Sequence, residues 1–322
     1  MKTFLKLPFN AKSLFLASVL LLALVCYMNL DVWNTRMDYT FGYLAPMFAA
    51  YVVFDRKEKI AAFFNSHFGD GGKSGGLKSA AVSAFFGAMM FCALCTIALF
   101  AAALYKTGQR GGPTFVMTFG IVWFCFAAAY FASARAIDGS RAPVGARLDF
   151  VKLFVFPCFI WLIAVPLFET AEEKISLCLL SAVAKITYSI LDYVGFIVEI
   201  RGNTLNFPTG SVGVAEACSG IRSLTACLFA GSFLSAVFID KFWKKAALVI
   251  SSMVLAFINN ILRALFLSIW AYNYGSDSIS GFVHDAAGYA VLGLTVVGLF
   301  ILIPIFMFDP VPKELRNSKD AK

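Results

Sequence analysis

Charge is what this chain most lacks. Only 14% of its 322 residues are Asp, Glu, Lys or Arg, against 60% hydrophobic. A soluble globule of this length needs far more polar surface than that, so a water-soluble fold is excluded. Bases outnumber acids, 27 to 19, but they are scattered singly through short loops. With no basic face and no interleaved aromatics, nothing marks a nucleic-acid partner. Histidine is almost missing, with His67 and His284 the two present. The Cys92 and Cys95 pair has a C-x-x-C spacing but no nearby His or charge, so neither zinc nor redox chemistry is expected there. No A-x-A-like site follows the first apolar run, which is therefore read as a retained span rather than a cleaved signal peptide. No similarity links the two halves of the chain, which argues against a transporter built from repeats.

What the chain has is long hydrophobic runs. About eight approach the roughly 20 apolar residues that a hydrocarbon core requires. They run roughly from Ser13 to Leu30, Tyr39 to Phe54, Ser79 to Tyr105, Thr114 to Ala134, Val151 to Phe168, Gly220 to Ile239, Ala246 to Tyr272 and Ala286 to Phe308. The second is the shortest and contains Pro46. Lys and Arg gather in alternate segments: Lys2, Lys6 and Lys12, the loops at 55–78, 135–147 and 241–245, and the tail after Phe308. The intervening segments hold only Arg36, Lys106, Arg110, Lys174, Lys185 and Arg201. Positive loops stay inside, so both termini are expected in the cytoplasm, with an even number of crossings.

The long outward segment, Glu169 to Ala217, departs from a plain bundle. Its first part, Glu172 to Ile197, mixes Glu172, Glu173, Lys174, Lys185 and Asp192 with many aliphatic residues. It reads as an amphipathic helix in the outer interface, with a shallow re-entrant segment as the alternative. Val198 to Val214 alternates apolar and polar residues around Gly202-Asn203 and Pro208-Thr209-Gly210 turns, the pattern of a small extracytoplasmic hairpin. The hairpin leads straight to Cys218.

Three residues then stand out, each near the outer end of a different run. Seven of the eight cysteines lie in apolar runs, where Cys acts as a small hydrophobe. Cys218 instead follows Glu216-Ala217 at a helix start, with Ser219 and Gly220 leaving the backbone open. Unpaired amides and the helix dipole there stabilise a thiolate. Arg263 lies roughly 13 Å below the outer interface at helical rise, where an unpaired charge costs several kcal/mol. Asn259 and Asn260 sit one turn earlier on the same face, making an inward polar stripe. A structural ion pair or snorkelling is the competing account of Arg263. Arg222, one turn past Cys218, serves equally well as a helix anchor, a lipid-phosphate ligand or a site residue. His284 lies between the polar outer loop Asn273 to Gly281 and the eighth run, at the height of Cys218; Asp285 follows it, but adjacent helix residues diverge by about 100°, so Asp285 need not orient the imidazole. His67 reads as a solvated cytoplasmic loop residue. A thiol, a cation and an imidazole at one membrane face make a cysteine-peptidase constellation.

The blocks Val214-Ala215-Glu216-Ala217-Cys218-Ser219-Gly220-Ile221-Arg222, Asn260-Ile261-Leu262-Arg263 and His284-Asp285-Ala286-Ala287-Gly288 resemble the signatures of the exosortase/archaeosortase family of membrane transpeptidases. The resemblance covers about residues 145 to 308; the first four runs match only as generic apolar helices. It implies Cys218 as nucleophile, Arg263 polarising the scissile carbonyl or stabilising the oxyanion, and His284 as acid/base, with Arg222, Asn260, Asn259, Glu216 and Ser219 in support. It implies no cofactor and no metal. Substrates of the family carry a short C-terminal motif, a transmembrane helix and a basic tail, and some members carry a soluble domain after the last span, which is not expected here.

The expectation is therefore an all-α polytopic membrane protein of about eight transmembrane helices, with an outer interfacial helix and an extracytoplasmic hairpin. Its parts would be an N-terminal four-helix region (1–144), a catalytic membrane core (145–308) and a cytoplasmic basic tail (309–322). It would sit in the plasma (inner) membrane with the site on the outer face, partnered by membrane lipids, tripartite-signal substrates and an acceptor that the chain does not specify. A polytopic transporter and a lipid-modifying transferase are the rival readings.

Overall fold

The computed structural model describes residues 7–68, 76–108, 113–213, 221–279 and 281–308. The chain forms two compact units, Met1–Glu169 and Thr170–Lys322. Six helices among the described residues are long and apolar enough to cross a membrane, and this is an all-α polytopic membrane protein with one small sheet.

The first unit holds α1 (Phe9–Thr35), a 3-10 turn (Met37–Tyr43), α2 (Leu44–Asp55), α3 (Lys57–Asn65), α4 (Leu77–Thr107), α5 (Pro113–Ala132), α6 (Val144–Lys152) and α7 (Val155–Ile163). Its centre is α5, whose most apolar window is 72% buried. Two expected spans differ from a continuous helix. The second run begins as the 3-10 turn, because Pro46 has no N–H to continue an upstream helix. That turn rests on the Trp33 indole at Gly42, where a Cβ would lie 2.1 Å from Nε1. The fifth run, Val151 to Phe168, takes in only the last two residues of α6 and, after a break at Leu153-Phe154, the nine residues of α7. Pro157 cannot donate to the Leu153 carbonyl four residues back, and Arg56 Nη1 donates to that oxygen instead. At the other end of α7, the Trp33 indole donates to Ala164 O at 2.7 Å. Each short helix thus has a freed carbonyl satisfied by a neighbour.

The loops after α3 and after α5 are tied together, which puts them on one side of the unit. Ile137 N donates to Phe64 O at 2.9 Å, and Phe68 N donates to Ser140 Oγ at 3.2 Å. His67 is exposed as expected, but it is not merely solvated: its Nδ1 lies 2.5 Å from Asp138 Oδ2. Hydrogen bonds from Ser140, then from His67, pull the Asp138 carboxyl down to about 2. These are two of the basic loops that the charge pattern assigns to one membrane face.

The second unit begins with α8 (Glu169–Val194), followed by β1 (Glu199–Arg201), β2 (Thr204–Phe207) and β3 (Gly210–Gly213), then α9 (Ile221–Phe238), α10 (Phe242–Tyr274), a 3-10 turn (Ser276–Ile279) and α11 (Phe282–Met307). The hairpin is a three-stranded antiparallel meander, with Arg201 paired to Thr204 and Phe207 to Gly210. Gly202 takes a positive φ of 62° in the first two-residue turn, the conformation that glycine tolerates. Thr209 Oγ1 donates to Ala271 O and Tyr272 O, and a Cβ on Gly210 would lie 2.6 Å from Ser276 Oγ. The sheet is therefore fastened to the last turn of α10. Leu205, Phe207 and Val212 share a core with Leu180, Val183, Ala184 and Leu191 of α8 and with Ala264, Leu267 and Ala271 of α10.

The helix α8, expected in the interface, runs for 26 residues and contains an 18-residue stretch of mean hydropathy 1.5, long and apolar enough to cross. The reason lies in where its charges fall: Glu169, Glu172, Glu173 and Lys174 occupy the start and Asp192 the end, leaving Lys185 alone in the middle. Beyond Glu172, its buried residues Leu180, Val183, Ala184, Thr187 and Leu191 form one stripe.

Helices α9, α10 and α11 pack closely through small residues. A Cβ on Gly231 of α9 would lie 2.2 Å from Ser252 Oγ of α10, and one on Gly298 of α11 would lie 2.6 Å from Leu255. Lys244 Nζ, near the start of α10, donates to Phe308 O at 2.8 Å, so α11 returns to the level where α10 begins.

Candidate active site

Arg263 and His284 meet. Arg263 Nη2 lies 3.0 Å from His284 Nε2 and 3.4 Å from His284 O. A guanidinium only donates, so Nε2 is the acceptor and the ring proton belongs on Nδ1. Nδ1 in turn faces Asp285 Oδ1 at 3.3 Å. The divergence of adjacent side chains on a helix, which left Asp285 in doubt from the sequence, is overcome by the two side chains turning toward each other.

The reach of Arg263 follows from helix registration. Asn259 Nδ2 donates to Thr295 Oγ1 at 2.8 Å, which aligns α10 with α11. From that level Arg263 is four residues, about 6 Å, and His284 eleven residues, about 16 Å, toward the outer ends. Running outward along α11, the arginine side chain covers most of the roughly 10 Å difference, the 3.0 Å contact to the His284 ring closing the rest. It passes Gly288, where a Cβ would lie 3.5 Å from Nη2 and 3.8 Å from Cζ. The glycine one turn after His284 thus leaves an open lane for the guanidinium.

Arg263 makes no ion pair with a carboxylate among the described residues, and its Nε is buried with no hydrogen-bond partner among them. An unsatisfied buried donor of this kind costs about 1–3 kcal/mol. Asn259 and Asn260 are both buried, at 4% and 6% exposure, on the same face of α10. The inward polar stripe is therefore present, and Asn259 is spent on Thr295. The His284 side chain remains 37% exposed and Arg263 is half-buried, so the imidazole is open to an entering group.

Cys218, Glu216 and Ser219 lie outside the described residues; their segment joins β3 to α9. Arg222 falls in the first turn of α9. Among the other cysteines, Cys125, Cys158 and Cys227 are buried, whereas Cys92, Cys95 and Cys178 lie on helix exteriors. A cavity of about 1010 Å³ in the first unit, lined by apolar faces of α1, α2 and α3, contains none of the site residues. The sequence reading missed Thr295, which carries no signal distinguishing it from other mid-helix threonines, and it named Gly288 in the His284 block without giving it a role.

The fold and this pair define a class: a polytopic helical membrane protein that holds a guanidinium against an imidazole within its helix bundle. A family model described as Transmembrane exosortase (Exosortase_EpsH) matches residues 33–301, and the chain belongs to that family. The match reaches well into the first unit, beyond the region where the signature blocks alone carried the resemblance. No curated protein and no solved structure matches the chain. Family membership brings a general role as a membrane transpeptidase or protease-like enzyme.

Proposed function

We propose that this chain is a cysteine-dependent sorting peptidase or transpeptidase that cleaves a C-terminal signal, made of a short motif, a transmembrane helix and a basic tail, at the outer face of the plasma (inner) membrane. The observation that carries the reading is the Arg263–His284 contact at 3.0 Å. It is a donor-rich cation on α10 and an acid/base group on α11, the two helices after the one that the Cys218 segment leads into. Arg263 Nε has no hydrogen-bond partner among the described residues, which leaves donor capacity on the guanidinium for a carbonyl oxygen or oxyanion.

In this mechanism the Cys218 sulfur attacks the scissile carbonyl carbon as its proton passes to His284 Nε2, while the carbonyl oxygen, gaining charge, draws the Arg263 guanidinium away from that nitrogen. The imidazolium so formed gives the proton to the departing amine as the C–N bond breaks, leaving a thioester on Cys218. Water or another acceptor nucleophile then attacks the thioester, passing its proton to Nε2, and the C–S bond breaks to return the proton and regenerate the Cys218 thiol. In a low-dielectric site a preorganised cation is worth far more than in water.

Orientation follows from charge. Both termini lie in the cytoplasm, with Lys241, Lys244, Lys245 and the basic tail on the inner side. A ninth crossing by α8 would carry these bases to the opposite face from the loops at 55–78 and 135–147, so α8 is read as lying in the outer interface despite its length. Replacing Cys218 with Ala should abolish substrate processing while expression and insertion stay normal. Cys218→Ser should be nearly as inactive, because Ser does not form an anion readily. If Cys218→Ala cells still shorten the substrate on gels at the wild-type rate, the peptidase reading fails.

A further inference from the structure

Both nitrogens of the His284 ring are engaged, one by Arg263 Nη2 at 3.0 Å and the other by Asp285 Oδ1 at 3.3 Å. The two partners differ in what they do to the ring. Arg263 donates and selects a bare Nε2, whereas a carboxylate accepts and selects a protonated Nδ1. Both demands favour the same neutral tautomer.

We propose that Asp285 is a positioning residue that holds the His284 proton on Nδ1, so that Nε2 is the nitrogen that exchanges a proton with the reacting groups. This rests on the acid/base role of His284 given above. In that role Nε2 takes the proton as the Cys218 S–H bond breaks and the S–C bond forms. The positive charge that results is shared through Nδ1–H with the Asp285 carboxylate. Nε2 then gives the proton to the leaving nitrogen as the C–N bond breaks, and the ring returns to its starting tautomer. Asp285 neither gains nor loses a proton in either step.

Asparagine at 285 separates positioning from bulk. An amide can turn its N–H toward Nδ1, which drives the ring proton to Nε2, where it confronts the N–H of Arg263. Alanine only removes the orienting contact. In a Ser-His-Asp protease, substituting the Asp by Asn lowers kcat about 10⁴-fold through the wrong tautomer. Asp285 is 70% exposed, so solvent weakens the effect. The expected loss in kcat for Asp285→Asn is about 10²-fold with little change in KM, and Asp285→Ala should fall less.

The chain's two histidines make the tautomer directly readable. A His67→Gln variant leaves His284 as the single imidazole, and ¹⁵N-histidine labelling of the full-length protein in detergent micelles reports which nitrogen bears the proton. The expected spectrum has protonated Nδ1 and bare Nε2 with Asp285 present, and shifts toward protonated Nε2 in Asp285→Asn. A proton on Nε2 with Asp285 intact, or equal kcat for the Asn and Ala variants, would overturn the proposal. If Asp285→Asn is fully active while Cys218→Ala is dead, Asp285 has no positioning role and the peptidase reading stands. If the tautomer flips as expected but Cys218→Ala still processes substrate, the assignment of Asp285 to the ring stands and the peptidase reading falls.

Discussion

Gly288 gives the sharpest test of the arginine lane. A Cβ there would sit 3.5 Å from Arg263 Nη2 and 3.8 Å from Cζ, which is ordinary van der Waals distance. Gly288→Ala should therefore leave turnover near wild type and add up to about 1 kcal/mol of helix stability. Valine extends the side chain by a further 1.5 Å or so, bringing a methyl carbon to roughly 2 Å from the guanidinium when it points along the lane. A β-branched side chain in a helix is held to one strongly preferred rotamer and has little freedom to turn away. The guanidinium must then shift by about 1 Å or more, and a misplacement of that size costs on the order of 10²-fold, equivalent to about 2.7 kcal/mol. Gly293 on the same helix has nothing within 4 Å, so Gly293→Val controls for the general effect of valine on α11. The assay is cleavage of a fluorescent fusion bearing a cognate sorting signal, normalised to enzyme in the membrane. Wild-type turnover for Gly288→Val, or equal losses for the valines at 288 and 293, would refute the lane.

Arg263→Lys keeps the charge but loses the planar fork, so turnover of the same fusion should drop by roughly 10²- to 10³-fold, with Arg222→Lys milder. Full activity for Arg263→Lys with loss for Arg222→Lys would mean the wrong arginine has been chosen. Thiols introduced at Thr204 and Ser276 should react with an impermeant reagent in intact cells, and thiols at Gly71 and Ser318 should be protected. Protection at Gly71 and Thr204 with reaction at Ser318 would instead show that α8 crosses. The exposed Asp138 carboxyl has its pKa lowered to about 2 by Ser140 and His67, so its support for the loop contact is present above the ordinary carboxylate range near 4 and is lost as pH falls through about 2. The protection factor of the Ile137 amide, which donates to Phe64 O, measured against its intrinsic exchange rate at each pH, should fall over that interval.

Composition and periodicity were enough to read the class of this protein, because apolar runs and sparse charge state directly what solvent the chain faces. They read less well where one residue decides the path. Pro157 splits an apolar run that hydropathy counts as continuous, and only the freed Leu153 carbonyl, taken by Arg56, shows why the break is tolerated. Hydropathy likewise weighs the charges of α8 without regard to their crowding at its start, so the same helix reads as interfacial by pattern and as spanning by length. At the site the spacing of Asn259, Asn260 and Arg263 disclosed the inward polar face, since it depends only on helical period. The direction in which Arg263 leans did not follow from that period. It depends on the Asn259–Thr295 registration and on the bare surface at Gly288, both of which belong to the neighbouring helix. The motif His284-Asp285-Ala286-Ala287-Gly288 therefore acts as one device: its first residue receives the guanidinium, and its last, one turn deeper, leaves the room through which the guanidinium arrives.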